Sequence, residues 1–407
     1  MQAEIISIGD ELTSGQRLDT NSQWLSLQLA QLGIRVMYHT TVGDDLAANV
    51  EVFRAAMGRA DVIVATGGLG PTADDLTRQA IAEAVGQPLQ LDENALAYIE
   101  ERFFSHGRSM PEQNRSQAFF PAGSQVIPNP DGTAPGIDLS FVRPGKSPSR
   151  TFVLPGVPAE MKQMWFATVE PALLATVGPE RRVICHRVLK CFGVGESHLE
   201  QMLPDLIRRG RRPSVGITVH QATITLRITA DGPSRNAALA EMEPTVALIR
   251  EKLGSLVFGE DDDELEHAVV RLLSQRALTL AIAESGTLGL VAERLGSLPD
   301  VEQIFRGGIA VTTRSTVAGE NLRTPAGVEA LATQVRQDFQ ADLGLAVGAF
   351  PADDSPPGDF FLALSARDHL RSTSCRFAGH PDIRRERSAK QALDLVRLWA
   401  LERPVDG

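Results

Sequence analysis

The sequence predicts an α/β protein of three domains, and three observations support this. From the N-terminus, strand and helix patterns alternate as β-α-β-α-β-α, which is typical of a doubly wound parallel sheet with helices on both faces. After a Gly-Pro break at residues 177–180, the order becomes β-α-β-β-α-β, that of a small split α/β sandwich. An acidic run at residues 260–264 precedes a third α/β segment. The predicted domains span residues 1–178, 179–260 and 261–407.

Periodicity identifies each element of the first domain. Residues 4–8 have a strand pattern, and residues 22–32 place Trp24, Leu25 and Leu29 on a helical pattern that stops at Gly33. Further strands are predicted at 34–42, 62–65 and 151–154, and further helices at 46–57, 76–85 and 159–176. Between them, residues 86–150 begin as helix and then become rich in Gly and Pro.

The elements of the other two domains follow from the same patterns. In the second domain, strands are predicted at 183–192, 215–219, 222–228 and 256–258, and helices at 197–207 and 234–253. In the third, helices are predicted at 265–273, 288–295 and 384–401, and strands at 278–283, 308–312, 343–347 and 360–364. The third domain is therefore expected to be a layered α/β/α structure.

Composition argues against several classes of protein. The 407 residues are 43% hydrophobic and 22% charged, and no apolar run approaches the roughly 18 residues that a membrane helix needs. The three cysteines form no C-x-x-C pair, which indicates buried thiols and neither a disulfide framework nor a zinc site. A formal charge of -11 disfavours a nucleic-acid partner. Because Met1 leads directly into a strand pattern with no signal-peptide pattern, a cytoplasmic location is expected.

Glycines and carboxylates recur where the strands of the first domain end. The residues after the first three strands are, in order, Gly9, Asp10 and Glu11; Gly43, Asp44 and Asp45; and Thr66, Gly67, Gly68 and Gly70, with Asp74 and Asp75 beyond. Ligands bind at this edge of an open parallel sheet. A glycine-rich turn lets backbone N–H groups approach a phosphate, whereas carboxylates there would repel it. A divalent cation between the two removes the conflict, so the pattern predicts a metal and a phosphate together.

Structural roles compete with ligand binding at some of these carboxylates. Thr72–Asp75 matches a capping box, in which Asp75 satisfies the first turn of the next helix. Asp44 or Asp45 is suited to cap the second helix, and Asp19–Asn21 fits an N-cap cluster as well as a binding role. The carboxylates with the weakest structural explanation are Asp10, Glu11 and Asp74.

In combination, these motifs resemble the CinA (competence/damage-inducible) family. The matching stretches are, in order, Ile8–Leu12, Asp19–Asn21, Val42–Asp44, Thr66–Asp75, Asn129–Gly136 and Leu154–Met161. The resemblance covers residues 4 to about 175 and implies a domain similar to molybdopterin-binding proteins, with metal-dependent ADP-ribose pyrophosphatase activity. It also implies a KH-like topology for the second domain and a homodimer.

The resemblance and the chemistry of the loops predict roles for individual residues. Asp10, Glu11 and Asp74 are the expected catalytic residues. The expected ligands of a divalent ion (Mg²⁺, Mn²⁺ or Co²⁺) are Asp44, Asp74 and Asp75. The nucleotide substrate is expected to contact Gly9, Asp19, Asn21, Thr66, Gly67, Gly68, Gly70, Thr72, Asn129, Gly132, Thr133, Gly136, Pro155 and Gly156. Of these, Gly67, Gly68 and Gly70 would hold the diphosphate through their N–H groups, and Asn129 fits an ordinary Asx turn equally well.

The third domain resembles the nicotinamide mononucleotide deamidase domain of the same family. That domain carries an Ala-Glu-Ser-Cys-Thr-Gly-Gly motif with a nucleophilic serine. Here Ala283–Gly289 keeps Ser285 and Thr287 but has Gly286 in place of the cysteine and Leu288 in place of a glycine. Leu288 would crowd a phosphate at the following helix N-terminus.

Further family positions of the third domain have also changed. The Phe-x-Gly-Gly pattern survives with Gly307 and Gly308, but Thr312 and Val317 stand at its tyrosine and lysine. The later glycine-lined loop, Gly348–Asp354, has gained two negative charges. A serine needs a neighbouring base or cation to become a nucleophile, so these changes predict a deamidase scaffold without its chemistry. Ser285 is then expected to cap a helix.

Three functions are therefore compatible with the sequence. The first is metal-dependent hydrolysis of the diphosphate of ADP-ribose or a related nucleotide by the first domain, in pyridine nucleotide recycling. The alternatives are deamidation of nicotinamide mononucleotide by the third domain, and binding of a pterin or nucleotide without turnover. Two features of the second domain, Gly193–Glu196 and Arg208–Arg212, give only a weak indication of nucleic-acid binding.

Overall fold

The computed structural model describes residues 1–105, 107–178, 182–208, 210–299, 301–312, 316–317, 320–351, 359–376 and 383–403. The chain divides into two units. The first comprises Met1–Cys185 and Asp231–Ala240, and the second comprises His186–Ala230 and Glu241–Gly407. Within the described residues, no helix combines the length and apolar character that crossing a bilayer requires.

A six-stranded mixed sheet forms the centre of the first unit. The strands of this region are β1 Gln2–Ile8, β2 Arg35–Val42, β3 Val62–Thr66, β4 Leu89–Leu91, β5 Phe119–Pro121, β6 Gln125–Ile127, β7 Gly136–Phe141 and β8 Ser149–Leu154. The sheet order is β2-β1-β3-β8-β7-β6, and β4 pairs with β5 separately. The predicted parallel sheet is confirmed for β2, β1, β3 and β8. β7 and β6 extend it antiparallel, because the turn between β7 and β8 is too short for a crossover.

Helices cover both faces of this sheet. They are α1 Asp10–Thr13, α2 Thr20–Gln31, α3 Leu46–Arg59, α4 Thr77–Val85, α5 Glu93–Ser105, α6 Pro158–Met164 and α7 Glu170–Val177, and a π-helical turn links the last two. Since side chains alternate along a strand, Ile6 and Ile5 of β1 enter different cores. Ile6 packs in the core that includes Phe53 of α3, and Ile5 packs in the core that includes Trp165.

The middle segment has the predicted β-α-β-β-α-β order. Its elements are β9 Val183–Cys191, α8 Glu196–Met202, β10 Ser214–His220, β11 Thr223–Gly232, α9 Arg235–Leu253 and β12 Val257–Glu260. The strand order in its sheet is β10-β11-β9-β12, and β10 pairs with β11 antiparallel as expected. Cys185 and Cys191 are buried free thiols, and burial raises the pKa of Cys191 to about 12.

The C-terminal segment is a layered α/β/α structure. Its elements are α10 Leu265–Ser274, β13 Leu280–Glu284, α11 Leu290–Gly296, β14 Phe305–Ala310, β15 Thr316–Val317, β16 Glu320–Asn321, α12 Pro325–Asp338, β17 Leu343–Val347, β18 Asp359–Ser365, β19 Leu370–Arg376 and α13 Arg384–Leu401. The main sheet has the order β14-β13-β17-β18-β19. One core lies between this sheet and α10, α11 and α13, and another lies beneath α12. The sequence patterns above do not include α12 and β19.

The middle and C-terminal segments share a hydrophobic core. Phe192 and Phe258, from the ends of the middle segment, belong to the same cluster as Val269 of α10 and Val396 of α13. The Nζ of Lys390, a residue of α13 that is 2% exposed, donates to the Thr223 hydroxyl at 2.7 Å. Residues on both sides of the predicted boundary at 260/261 therefore pack together.

Candidate functional site

The loops at the carboxyl ends of the parallel strands surround a cavity of about 500 Å³, here called the cleft. This volume is within the range of small-molecule sites. Of the residues predicted from sequence, those that line the cleft are Gly9, Glu11, Asp44, Gly67, Gly68, Gly70, Asp74, Asp75, Thr133, Pro155 and Gly156. The topology of the sheet therefore brings together loops from four strands that lie far apart in the chain.

A smaller recess of about 40 Å³ adjoins the cleft and contains Asp19, Asn21 and Thr66. Asp19 is the N-cap of α2, since its Oδ1 accepts from the Ser22 N–H at 2.9 Å and its Oδ2 accepts from the Ser7 hydroxyl at 2.6 Å. Burial opposes ionisation of Asp19, but these hydrogen bonds leave its pKa below the ordinary value. Asn21 Nδ2 donates to the Gly156 carbonyl at 2.9 Å, which ties the start of α2 to the loop after β8.

The glycines after β3 are required by the backbone. Gly67 and Gly68 have φ of 106° and 63°, in the region that disfavours side chains. A Cβ on Gly67 would lie 2.2 Å from the Ile8 carbonyl oxygen, and one on Gly68 would lie 2.1 Å from Thr77 Oγ1. These glycines therefore allow β1, β3 and α4 to approach one another closely.

Only part of this glycine loop has N–H groups available to a ligand. The Gly67 N–H donates to Leu154 O at 3.1 Å, and the Gly70 N–H donates to Asp75 Oδ1 at 2.8 Å. The expectation that these two amides hold a diphosphate is therefore wrong, because both are bonded within the protein. The Gly68 and Leu69 amides remain, and neither has an acceptor in the described part of the chain.

Asp75 braces the glycine loop instead of capping a helix. Helix α4 begins at Thr77, and its N-cap residue Leu76 makes no side-chain cap. Asp75 Oδ1 accepts from the Gly70 N–H, while Oδ2 accepts from both the N–H and the hydroxyl of Thr72. The capping-box interpretation is wrong, because these donors precede Asp75. With both oxygens engaged, Asp75 is a weaker candidate for a metal ligand than the sequence indicated.

A buried arginine that no sequence motif predicts connects two loops of the cleft. Arg78, in α4, donates through Nη1 to Leu69 O at 2.7 Å and through Nη2 to Pro135 O at 3.1 Å. Burial lowers the pKa of Arg78 to about 10, so the guanidinium stays charged at neutral pH. Gln117 Nε2 also donates to Leu69 O, at 3.2 Å.

Asn129 organises the second loop from inside. Its Oδ1 accepts from the N–H groups of Asp131 and Gly132, which is an Asx turn, at 3.2 and 2.9 Å. Its Nδ2 donates to Ala134 O at 2.9 Å and to Glu160 Oε2 at 2.7 Å. Asn129 is fully buried, so its side chain serves the loop and does not face a ligand. Gly136 is also structural, because a Cβ there would lie 2.5 Å from Val153 O.

The cleft is strongly acidic. The charged side chains among its described lining residues are Glu11, Asp44, Asp74, Asp75, Glu160 and Arg17. Asp44 and Asp10 are paired: the Asp10 N–H donates to Asp44 Oδ2 at 2.9 Å, and the Asp44 N–H donates to Asp10 Oδ1 at 3.0 Å. Burial and the negative charges of Asp10, Asp74 and Glu11 raise the pKa of Asp44. The helix cap is the adjacent Asp45, whose Oδ1 accepts from the Ala48 N–H at 2.8 Å.

This donor set fits a divalent ion that a phosphate helps to hold. Among the described residues, no three Asp, Glu, His or Cys side chains form a group able to hold a metal alone. Mg²⁺, however, is commonly bound by one or two carboxylates together with phosphate oxygens and water. A divalent ion would favour the charged form of Asp44, whose pKa is raised by burial and by the neighbouring carboxylates. Asp44 and Asp74 are the best-placed candidates, because both line the cleft and neither is a helix cap.

Two further charged residues, Arg17 and Glu160, lie in the cleft wall and match none of the roles predicted from the sequence. Arg17 lies between α1 and α2 and is a guanidinium within reach of an anionic ligand. In the sequence, Arg17 is recognisable as a single basic residue among the acidic loops of the first domain. Glu160 lies within the family-like stretch Leu154–Met161, but only its bond to Asn129, 31 residues away, explains its position.

In the C-terminal segment, Glu284 holds the start of α11. Its Oε2 accepts from Thr287 Oγ1 at 2.6 Å and from the N–H groups of Gly289 and Val291, and its Oε1 accepts from the Ala292 N–H at 2.9 Å. Ser285 is 2% exposed, and its hydroxyl has no partner in the described residues. The expectation that Ser285 caps the helix is therefore wrong, because its neighbour Glu284 has this role.

A phenylalanine fills the space beside Gly286, where the family motif has cysteine. A Cβ on Gly286 would lie 2.7 Å from Phe350 Cε1 and 2.8 Å from Gly348 O. The Phe350 ring packs edge-on against Phe360, with 5.2 Å between centroids, and the Arg384 guanidinium lies 4.8 Å from its centroid. Phe350 therefore occupies the space that a side chain at residue 286 would need.

The two glycines of the Phe-x-Gly-Gly pattern have packing roles. A Cβ on Gly307 would lie 2.4 Å from the Phe339 ring, and one on Gly308 would lie 3.0 Å from Ile282 O. Both glycines are in β14, next to β13. Asp353, Asp354 and the side chain of Val317 lie outside the described residues, so the predictions for them are not addressed by the structure.

We expect restoration of the family cysteine, Gly286→Cys, to destabilise the C-terminal segment by about 2 kcal/mol through overpacking against Phe350. In a Phe350→Ala background the cost should fall to half or less, although the Gly348 carbonyl remains close. Chemical denaturation of the full-length single and double variants measures this coupling. An equal cost in both backgrounds would show that Phe350 does not limit residue 286.

Three family descriptions match the chain in succession. "Probable molybdopterin binding domain" matches residues 4–175, "Damage-inducible protein CinA KH domain" matches residues 186–259, and "CinA C-terminal domain" matches residues 262–399. Together they agree with the α/β, split sandwich and α/β/α folds described above.

Relatives of this chain match it over nearly its whole length. The CinA-like protein of Frankia casuarinae is 38% identical over 420 residues, covering 98% of this chain and 96% of that protein. The CinA-like protein of Dictyoglomus thermophilum is 36% identical over 414 residues and covers 98% of both. A crystal structure of the protein CinA from Thermoplasma acidophilum is 34% identical, with a TM-score of 0.39, and covers 42% of this chain and 98% of that one. The chain therefore belongs to the CinA family of competence/damage-inducible proteins.

Proposed function

We propose that the cleft hydrolyses the diphosphate of ADP-ribose or a related nucleotide with the help of a divalent cation. The observation that carries the proposal is the composition of the cleft wall. Amides of a glycine loop suit a phosphate, yet the described lining of the same cleft includes five carboxylates and one guanidinium, that of Arg17. A phosphate bound here needs additional positive charge.

Substrate binding would use the two loop amides that have no acceptor among the described residues. The Gly68 and Leu69 N–H groups would donate to a phosphate oxygen, and Arg17 would pair with the same group. Arg78 and Asp75 fix the shape of the loop through Leu69 O and Gly70 N. The amides are thereby held in place before the substrate arrives, which lowers the cost of organising the site.

The carboxylates would bind the cation and accept a proton from the attacking water. Asp44 and Asp74 would be its ligands, with Asp10 fixing Asp44 through their paired hydrogen bonds. When bound, a divalent ion polarises the phosphorus and lowers the pKa of water. Glu11 lines the cleft and would accept a proton from the attacking water. The water oxygen bonds to phosphorus, the bridging P–O bond breaks, and two phosphomonoesters leave.

We expect the chain to hydrolyse ADP-ribose only when Mg²⁺, Mn²⁺ or Co²⁺ is present. The kcat should fall about a hundredfold in Asp74→Ala and in Asp44→Asn, because each substitution removes a ligand of the ion. Asp45→Asn is the matched control: it is adjacent to Asp44, caps α3, and asparagine also caps helices well. Its activity should stay within about twofold. A coupled assay that detects the released AMP measures these rates.

Two results would contradict the proposal. Full activity in Asp74→Ala would remove this residue as a ligand. Tight binding of ADP-ribose by the wild type without product, at saturating metal, would select non-catalytic binding of a pterin or nucleotide. The match of residues 4–175 to a probable molybdopterin binding domain supports pterin binding as the alternative.

A further inference from the structure

A second cavity, here called the annex, adjoins the cleft. It has a volume of about 290 Å³ and is lined by Arg102, Phe103, Arg108, Asp131, Gly132 and Thr133. Thr133 lies in the walls of both cavities. The hydrolysis proposed above uses none of the charged residues of the annex.

The annex is built from a loop that helix α5 holds in place. Tyr98, in α5, donates its hydroxyl hydrogen to Asn129 O at 2.8 Å. Arg102, one turn later, donates to Pro130 O. Together with the Asx turn of Asn129, these bonds fix the backbone of Asp131 relative to Phe103 on the same helix. The loop and helix parts of the annex wall are therefore positioned before any ligand binds.

The annex differs from the cleft in charge and in apolar character. It combines two guanidinium groups with one carboxylate and a partly buried phenyl ring, whereas five carboxylates line the cleft. Arg102 is engaged with the loop. Within the described part of the chain, the side chains of Arg108 and Asp131 make no hydrogen bond or ion pair, and both are exposed.

This set of groups matches a nucleobase better than a phosphate. A phenyl ring and a guanidinium plane suit a flat aromatic ring, and the guanidinium can also donate to ring nitrogen or oxygen atoms. The Asp131 carboxylate can accept only from a donor, such as an exocyclic amino group, and would repel a phosphate. Resting on the proposed function of the cleft, we infer that the annex binds the base of the nucleotide substrate and selects a base with an exocyclic amino group, such as adenine.

Binding of mononucleotides tests the annex without turnover. AMP and IMP differ at position 6 of the purine, where AMP has an amino group and IMP a carbonyl. Calorimetric titration of the full chain should give AMP about tenfold tighter binding than IMP. Asp131→Asn should abolish this preference, because a carboxamide can also donate to the IMP carbonyl. Arg108→Ala should weaken both about tenfold, whereas the control Arg115→Ala, exposed and outside both cavities, should change neither.

Kinetics separate this inference from the proposed function. With ADP-ribose, Arg108→Ala should raise KM about tenfold and leave kcat within twofold, because the base is remote from the reacting phosphorus. If the wild type hydrolyses nothing but binds AMP in an Arg108-dependent manner, the proposed function fails and the annex assignment stands. Equal binding of AMP and IMP by the wild type, no AMP binding, or an unchanged KM in Arg108→Ala would overturn the annex assignment.

Discussion

Gly67→Ala is expected to lower the free energy of unfolding of the first domain by about 3 kcal/mol. The residue has φ of 106°, which an alanine adopts only with strain. Its Cβ would also lie 2.2 Å from the Ile8 carbonyl oxygen. That oxygen belongs to the backbone of β1 in the sheet interior, so neither atom can rotate away. The main chains of β1 and β3 would have to separate at the edge where the cleft forms.

Calorimetric scanning of the full chain measures this loss, and the transition of the first domain should shift down by about 6–12 °C. Gly156→Ala is the matched control, because Gly156 lines the same cleft and its added Cβ would meet only Gly67 Cα, at 3.6 Å. That distance is an ordinary van der Waals contact, so the control should shift by less than about 2 °C. Similar shifts in the two variants would contradict the steric argument.

Glu284→Ala should destabilise the C-terminal segment by about 4 kcal/mol, because it removes a buried acceptor of four hydrogen bonds. Glu284 is 1% exposed, and water cannot easily reach the backbone N–H groups that its loss would leave unpaired. Three of these donors are backbone N–H groups of the loop before α11 and of its first turn. The substitution should therefore unravel the start of that helix as well as lower its stability.

Two further variants define the origin of the effect. Glu284→Gln keeps one acceptor oxygen and should lose about half as much. Glu293→Ala removes an exposed carboxylate from α11 and should change the stability by no more than about 0.5 kcal/mol. Denaturation of the full-length variants gives the free energies, and hydrogen exchange at Val291 and Ala292 reports the helix start. Unchanged protection of these amides in Glu284→Ala would contradict the assigned role.

The elements with strong apolar periodicity were predictable from the sequence, and the weakly patterned ones were not. The buried strand β3 and the helix α3 follow from local spacing alone. By contrast, β19 has only one buried residue, Cys375, so its sequence carries no apolar alternation. The helix α12 does carry local signals, since Thr324 caps it and Pro325 opens it, so its start was predictable from the sequence.

The location of the cleft was also predictable, whereas the roles of individual residues depended on distant partners. The glycine and acidic loops converge because parallel strands end at one edge. Whether the Gly67 amide is available depends on Leu154, 87 positions later, which no local motif reveals. For Asp75, the spacing Thr-x-x-Asp is the same in a helix cap and in the brace observed here. Only the path of the backbone distinguishes the two.

The hydrophobic cluster that contains Phe192, Phe258, Val269 and Val396 bears on how this chain can evolve. Deleting the C-terminal segment would expose the aromatic side chains at the ends of the middle segment to water and so penalise a truncated gene product. Natural selection can therefore preserve the C-terminal segment for its packing alone, whatever catalysis it retains. Substitutions around Ser285 are compatible with such preservation, because Val269 and Val396, which share the cluster with the middle segment, lie on α10 and α13.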